Sequence, residues 1–337
     1  MSLPRVAVGS LGGTITMTSS TPGPGVGPSL QAADLVAAVP ALAEVAELEV
    51  HTLRTDPGAW LRPPDLLAVA RWARERAAAG QGVVLVQGTD TIEETSALLD
   101  LHWGVAAPLV VTGAMRHPAT PGADGPANLL ASVLVAASAS ARDLGVLVVL
   151  DDEVHAASRV RKADSLSTGA LSSAPWGVLG RVHEGAVTFG SRPRPWPALP
   201  APDDGRDPRV ALLEVSLGDD GDLLRAVADG GWDGVVLSAF GAGHVSRPMA
   251  EVVGEVAGRL PVVLATRTGS GPVLQRTYGF VGSERDLIAR GAVPAGWTDA
   301  RKARLLLWSL LAAGLSGDTL RDVVRERGAC PGGPSGP

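Results

Sequence analysis

The chain reads as an α/β protein, with a mostly parallel sheet and flanking helices in a larger N-terminal domain and a smaller α/β C-terminal domain. Two observations predict this class. Short runs rich in Val, Leu and Ile alternate with Ala- and Leu-rich stretches of helical period, as in a parallel sheet covered on both faces. Between Ser191 and Arg209 stand six prolines, too many for a helix or a central strand, and they separate the two series. The expected organisation is therefore 1–190 for the first domain, 191–209 for a linker, 210–328 for the second domain and 329–337 for a flexible tail.

Taken in order, the first predicted strand is Val6–Gly9, which leads into a glycine-rich turn, and the second is Leu48–Leu53. Val83–Val86 lies in an apolar run without polar interruption, so it reads as a strand buried on both faces. Thr91-x-x-Glu94 has the spacing of a capping box, which predicts Thr91 as N-cap of a helix starting at about Ile92. Predicted strands follow at Leu109–Thr112 and Val146–Leu150, and after the prolines at Val210–Val215, Val235–Ser238 and Val262–Ala265. The last long helix has Thr298 as expected N-cap, with Ala303, Leu306, Leu307, Leu310 and Leu311 on one face, a core stripe.

Composition excludes several classes. With 337 residues and 45% hydrophobic content the chain can bury one or two cores, so disorder is not expected. A net charge of -6 and no lysine-arginine cluster argue against a nucleic-acid partner, whose affinity comes largely from cationic phosphate contacts. Met1 to Gly9 lack a basic segment followed by an apolar stretch, which predicts no secretory signal and a cytoplasmic location. No apolar run reaches the ~18 residues of a membrane span. The single cysteine, Cys330, sits in the Gly/Pro-rich tail and can form no internal disulfide. The histidines (51, 102, 117, 155, 183 and 244) show no metal-ligand spacing, and neither a metal nor a cofactor is expected.

Candidate chemistry gathers at strand ends. Gly9-Ser10-Leu11-Gly12-Gly13-Thr14 is glycine-rich but matches neither nucleotide-binding fingerprint. It reads either as a sharp turn that exposes Thr14 or as a packing turn with an incidental threonine. Thr89 and Asp90 fall where the third predicted strand gives way to its helix, the edge where open α/β sheets build ligand sites. Of 29 basic residues only Lys162 and Lys302 are lysine. A lysine can lose its proton and activate a hydroxyl whereas arginine cannot, so a lysine kept in an arginine-using chain is a catalytic candidate. Lys302 reads as a solvated helix residue. Lys162, after the polar stretch Asp151 to Arg161, is either the candidate or a surface residue of a basic loop.

These residues carry a resemblance. Leu11-Gly12-Gly13-Thr14-Ile15 resembles the first signature of the bacterial L-asparaginases and glutaminase-asparaginases, and Gln87 to Leu101 the second, with Gln87 where the family commonly has histidine. Val111 to Arg116 with Ala123 to Leu129, Arg161-Lys162, and Tyr278 to Leu307 extend the likeness over nearly the whole chain. The resemblance implies a homodimer or homotetramer that hydrolyses the side-chain carboxamide of L-asparagine to L-aspartate and ammonia. It implies Thr14 as nucleophile, with Thr89, Asp90 and Lys162 as the second catalytic cluster. Substrate would be held by the backbone at Gly88 and Thr89, by the Ala114 carbonyl and by Asp90, which would receive the α-ammonium.

Three departures stand beside these matches. The segment Thr16 to Ser29, where the family places a lid tyrosine, has none, and the chain's one tyrosine is Tyr278. Gly58 and Ala59 fall where the family has polar partners for the α-carboxylate, leaving the backbone amides there, or Arg54 and Thr55, to bind it. No acidic residue in Arg267 to Pro272 matches the one a neighbouring subunit often lends. An ammonia-releasing amidotransferase subunit and a catalytically weakened amino-acid sensor are the alternative functions.

Overall fold

In a computed structural model of the chain, residues 2–18, 27–28, 30–193, 195–202 and 205–329 are described. Most of Thr16 to Ser29, and the residues from Cys330 onward, lie outside them. The chain divides into two compact units, Met1–Ala198 and Leu199–Pro337. The first contains, in chain order, β1 (Arg5–Ser10), β2 (Met17–Thr18), β3 (Gly27–Pro28), α1 (Ala32–Ala37), α2 (Leu42–Val45), β4 (Glu47–Thr52), α3 (Pro63–Ala78) and β5 (Gly82–Val86). There follow α4 (Ile92–His102), β6 (Leu109–Thr112), α5 (Gly125–Ala137), β7 (Val146–Leu150), β8 (Glu153–Ala156), β9 (Arg161–Lys162), β10 (Leu171–Ser172), β11 (Gly180–His183) and β12 (Ala186–Phe189).

Eight strands make the main sheet, in the order β12-β11-β8-β7-β6-β5-β1-β4. The stretch from β7 to β4 is parallel, and β8, β11 and β12 add an antiparallel margin. All residues of β5, β6 and β7 are buried, because helices cover both faces of a parallel sheet and leave no side facing water. On one face Val84, Val86 and Val110 share a core cluster with Leu129 and Val133 of α5. Each such side chain contributes roughly 1.5–3 kcal/mol of burial free energy, which holds the strand ends, and the loops on them, in place.

The second unit contains β13 (Val210–Glu214), α6 (Asp222–Asp229), β14 (Gly234–Ala239), α7 (Arg247–Ala257), β15 (Val262–Thr266), α8 (Glu284–Ala289), β16 (Val293–Pro294), α9 (Ala300–Ala312) and α10 (Gly317–Gly328). Its strands form a four-stranded parallel sheet in sequence order.

The eight strands expected from apolar runs are present within about a residue of their predicted ends. The runs do not predict β8, β11 and β12, because a short strand at a sheet margin alternates buried and exposed residues, as β11 does, and has no apolar block. Among the described residues of 191–209 there is neither helix nor strand.

Two expectations in the second unit are corrected. The N-cap of α9 is Asp299, whose carboxylate accepts from the N–H of Arg301 and Lys302, while the Thr298 hydroxyl turns to the Arg327 carbonyl. Lys302 is not solvated. It is only 5% exposed and its Nζ lies 2.5 Å from Asp299 Oδ2, since the first turn of α9 brings the two together.

Candidate active site

Three loops leave the carboxyl ends of the adjacent parallel strands β1, β5 and β6 and meet at one edge of the main sheet. The turn after β1 is possible because Gly13 has φ of 91°, and a Cβ there would lie 2.0 Å from the Gly88 nitrogen. Any side chain at Gly13 would drive the two loops apart, so glycine lets backbone lie on backbone. Thr14 follows at once and opens a 3-10 turn, Thr14–Thr16, closed by the Thr16 N–H and hydroxyl, both donating to the Gly13 carbonyl. Thr14 is thereby placed in the backbone beside Gly88, while its side chain lies outside the described part of the molecule.

The loop after β5 is a second 3-10 turn, Thr89–Thr91, which runs directly into α4. This alters the expected cap. Thr91 is the N-cap residue, but with ψ of 14° it continues the turn, makes no capping hydrogen bond, and its Oγ1 is buried without a partner. The preceding turn supplies a carbonyl instead, because the Ile92 N–H donates to Thr89 O. Thr89 is 4% exposed and Gln87 fully buried, whereas the Asp90 side chain is 80% exposed.

Lys162 reaches this turn from far along the chain. It sits on β9, paired with Leu171 of β10 in a two-residue ladder. Its Nζ donates to Thr89 Oγ1 at 3.0 Å and to Asp90 Oδ1 at 2.7 Å. The amine is mostly buried and its carboxylate partner mostly exposed, so the pair adds little to stability and its consequence is orientation. The Thr89 hydroxyl in turn faces Met115 Sδ at 3.2 Å, a weak acceptor.

Met115 belongs to the third loop, after β6, together with the fully buried Ala114. Asp124 accepts from the N–H groups of Met115 and Arg116, each at 2.9 Å. Asn128, in the first turns of α5, donates to the Gly113 carbonyl and accepts from the Asp151 N–H, tying the loops after β6 and β7 to one side chain. Gly58 and Ala59 open a 3-10 turn, Gly58–Trp60, in which Gly58 is buried against Gly88 and Thr91 and Ala59 is exposed. Arg54, the alternative carboxylate binder, is engaged by Asp56 at 2.6 Å and Asp65 at 2.9 Å. The Asp56 hydrogen bond, the largest influence, holds its guanidinium above the usual range. Thr55 is exposed.

The structure thus brings together Thr89, Asp90 and Lys162, and lays Gly13, Gly58 and Gly88 backbone to backbone beside them. Three supporting residues have no part assigned by the sequence: Glu93, Met115 and His155. Glu93 is 4% exposed and its Oε2 accepts the Lys162 backbone N–H at 2.6 Å. His155 is 1% exposed and its Nδ1 lies 2.9 Å from Ser173 Oγ, just past β10. Burial, with the Arg181 charge behind it, pushes the His155 imidazole down to about 4. A carboxylate beside the apolar face of a helix is the one available signal for Glu93, and the capping pattern points to Glu94 instead.

Among the described residues no group of three or more His, Cys, Asp or Glu could hold a metal ion, and no helix is long and apolar enough to cross a membrane. Residues 5–195 match the family described as Asparaginase, N-terminal, and residues 209–324 the Glutaminase/Asparaginase C-terminal domain. A probable L-asparaginase of Deinococcus radiodurans is 34% identical over 96% of this chain and 98% of its own. One component of the glutamyl-tRNA(Gln) amidotransferase of Aeropyrum pernix is 31% identical over 91% of this chain and 74% of its own. Among solved structures, a probable cytoplasmic L-asparaginase from Campylobacter jejuni superposes with a TM-score of 0.86 at 28% identity, covering 96% of this chain and 99% of that one. With both halves matched, and relatives aligned nearly end to end, the chain belongs to the asparaginase family and is an amidohydrolase.

Proposed function

We propose that the protein hydrolyses L-asparagine to L-aspartate and ammonia through a threonine ester. The observation that carries this is the convergence of Lys162 Nζ on Thr89 Oγ1 and Asp90 Oδ1, 73 and 72 residues away along the chain. In this reading Thr14 Oγ attacks the carboxamide carbon and the tetrahedral oxyanion rests on backbone N–H groups at Gly88 and Thr89. The C–N bond then breaks, and the leaving nitrogen takes up the hydroxyl's proton and departs as ammonia. Thr89, with Lys162 as proton acceptor, orients the water that cleaves the ester and releases aspartate.

Asp90 suits two tasks, since Oδ1 holds the lysine while the carboxylate is open to an α-ammonium. The Ala114 carbonyl accepts from the amide nitrogen, and the Gly58–Ala59 backbone meets the α-carboxylate. The domain limits 1–190 and 210–328, a homodimer or homotetramer and a cytoplasmic location belong to the same reading, the last supported by the name of the Campylobacter relative.

The test is ammonia release from L-asparagine, L-glutamine and their D-forms, with Thr14→Ala as control. Highest kcat/KM on L-asparagine, abolished in Thr14→Ala, is the expected result. Preference for glutamine favours the amidotransferase reading that the Aeropyrum relative suggests. Calorimetric binding without turnover overturns hydrolysis in favour of an amino-acid sensor.

A further inference from the structure

Lys162 is held at both ends by one short stretch of chain. Its amine is bound by Thr89 and Asp90, and its backbone N–H donates to Glu93 Oε2 at 2.6 Å. The ladder that carries it, Lys162 and Arg161 against Leu171 and Ser172, is two residues long and too short to define the position of a flexible four-carbon side chain. Glu93 is the second residue of α4, 4% exposed, on a helix whose buried residues Ile92, Leu98 and Leu99 anchor it in the core. A buried carboxylate on a rigid helix is a costly group to keep unless it is used, and here it accepts a charge-assisted bond from the catalytic segment.

We propose that Glu93 is the positioning residue of the site, setting the distance between the Lys162 amine and the Thr89 hydroxyl by fixing the lysine's main chain to α4. This rests on the reading of Lys162 as the proton acceptor, but its geometric part does not. The carboxylate binds the lysine at its backbone N–H, so its effect on the amine passes through the main chain of residue 162. Misplacing a reacting group by about 1 Å costs on the order of a hundredfold in rate, the scale on which such a strut acts.

The chain supplies an unusually clean probe, because it has two lysines and the other, Lys302, is 5% exposed and paired with Asp299. The experiment compares the wild type with Glu93→Gln, Glu93→Asp and Glu93→Ala. It measures kcat and KM for asparagine and, independently of turnover, the rate of Lys162 acylation by acetic anhydride relative to Lys302, read by peptide mass spectrometry. Glu93→Gln keeps an acceptor and should stay within about threefold of wild type in kcat and in labelling. Glu93→Ala should lose about tenfold or more in kcat with KM within about threefold, and label Lys162 several-fold faster. Glu93→Asp, shorter by one methylene, should fall between them and covers the case in which the alanine variant does not fold. Wild-type kcat and labelling in the alanine and aspartate variants overturn the proposal, as does a glutamine variant no better than alanine. Unchanged turnover in Thr89→Val would instead sink the catalytic reading while leaving the labelling result to judge the strut.

Discussion

The carboxyl edges of the two parallel sheets use the same residue types to opposite ends. In the second unit the Thr266 hydroxyl donates to the Gly241 carbonyl and Thr268 to Ser270 O. The fully buried Glu284 accepts from the N–H groups of Thr277 and Tyr278 and faces His244 Nε2 at 3.2 Å. Burial pushes the Glu284 carboxyl up, but those backbone N–H groups outweigh it and hold the group below its usual range. These side chains close turns. In the first unit the Thr89 hydroxyl meets a thioether and an amine, neither of which competes with a reacting atom as a backbone carbonyl would. A hydroxyl left to a weak acceptor, beside a lysine, separates a site from a well-made turn.

The comparison can be broken most forcefully at the amine. Lys162→Met and Thr89→Val should each lower kcat by about a thousandfold, because in the proposed mechanism each removes a proton-relaying group rather than packing. Lys162→Arg should be nearly as damaging, since arginine keeps charge and cannot accept the proton. Recovery of activity with arginine would reduce the lysine to an electrostatic support, and steady-state kinetics decides it.

Gly13→Ala should cost on the order of a hundredfold in kcat, as the new Cβ meets the Gly88 backbone and separates the two threonine loops. Near wild-type turnover would mean that the loops need not touch. At the other edge Glu284→Ala should act on stability instead, lowering it by about 3 kcal/mol by leaving buried N–H groups unsatisfied, while kcat of the folded enzyme moves less than tenfold. Chemical denaturation beside kinetics shows whether the two edges are as different as their hydrogen bonds.

The last effect is confined to acid and leaves the protein untouched at neutral pH. His155 is held neutral in the folded protein, with its ionisation lowered from 6.5 to about 4, so its contribution is present above pH 6.5 and is lost as pH falls toward 4. The loss should reach roughly 3 kcal/mol below that pH, and His155→Gln should flatten this arm of the stability curve. An unchanged slope between pH 6.5 and 4 would remove the histidine from the account.

Much of the site is legible in the residues themselves. Thr89 and Asp90 follow an uninterrupted apolar strand, and Lys162 stands out in a chain that otherwise uses arginine. The capping pattern places the N-cap at Thr91 and the helix start at Ile92 correctly but not the capping hydrogen bond, because Thr91 continues the 3-10 turn before the helix. Glu93 and Met115 are silent in the sequence because their partners lie 69 and 26 residues away.

By itself the sequence determined the class of fold, the parallel strands of both sheets except the two-residue Val293–Pro294, and the residues able to do proton chemistry, since apolar periodicity and side-chain type are local properties. Only the tertiary structure decided which of those residues meet. The closeness of Lys162 to Thr89 depends on a two-residue hairpin, a buried carboxylate and glycines thin enough to let loops touch, and distances across a fold are set by packing, not by spacing along the chain.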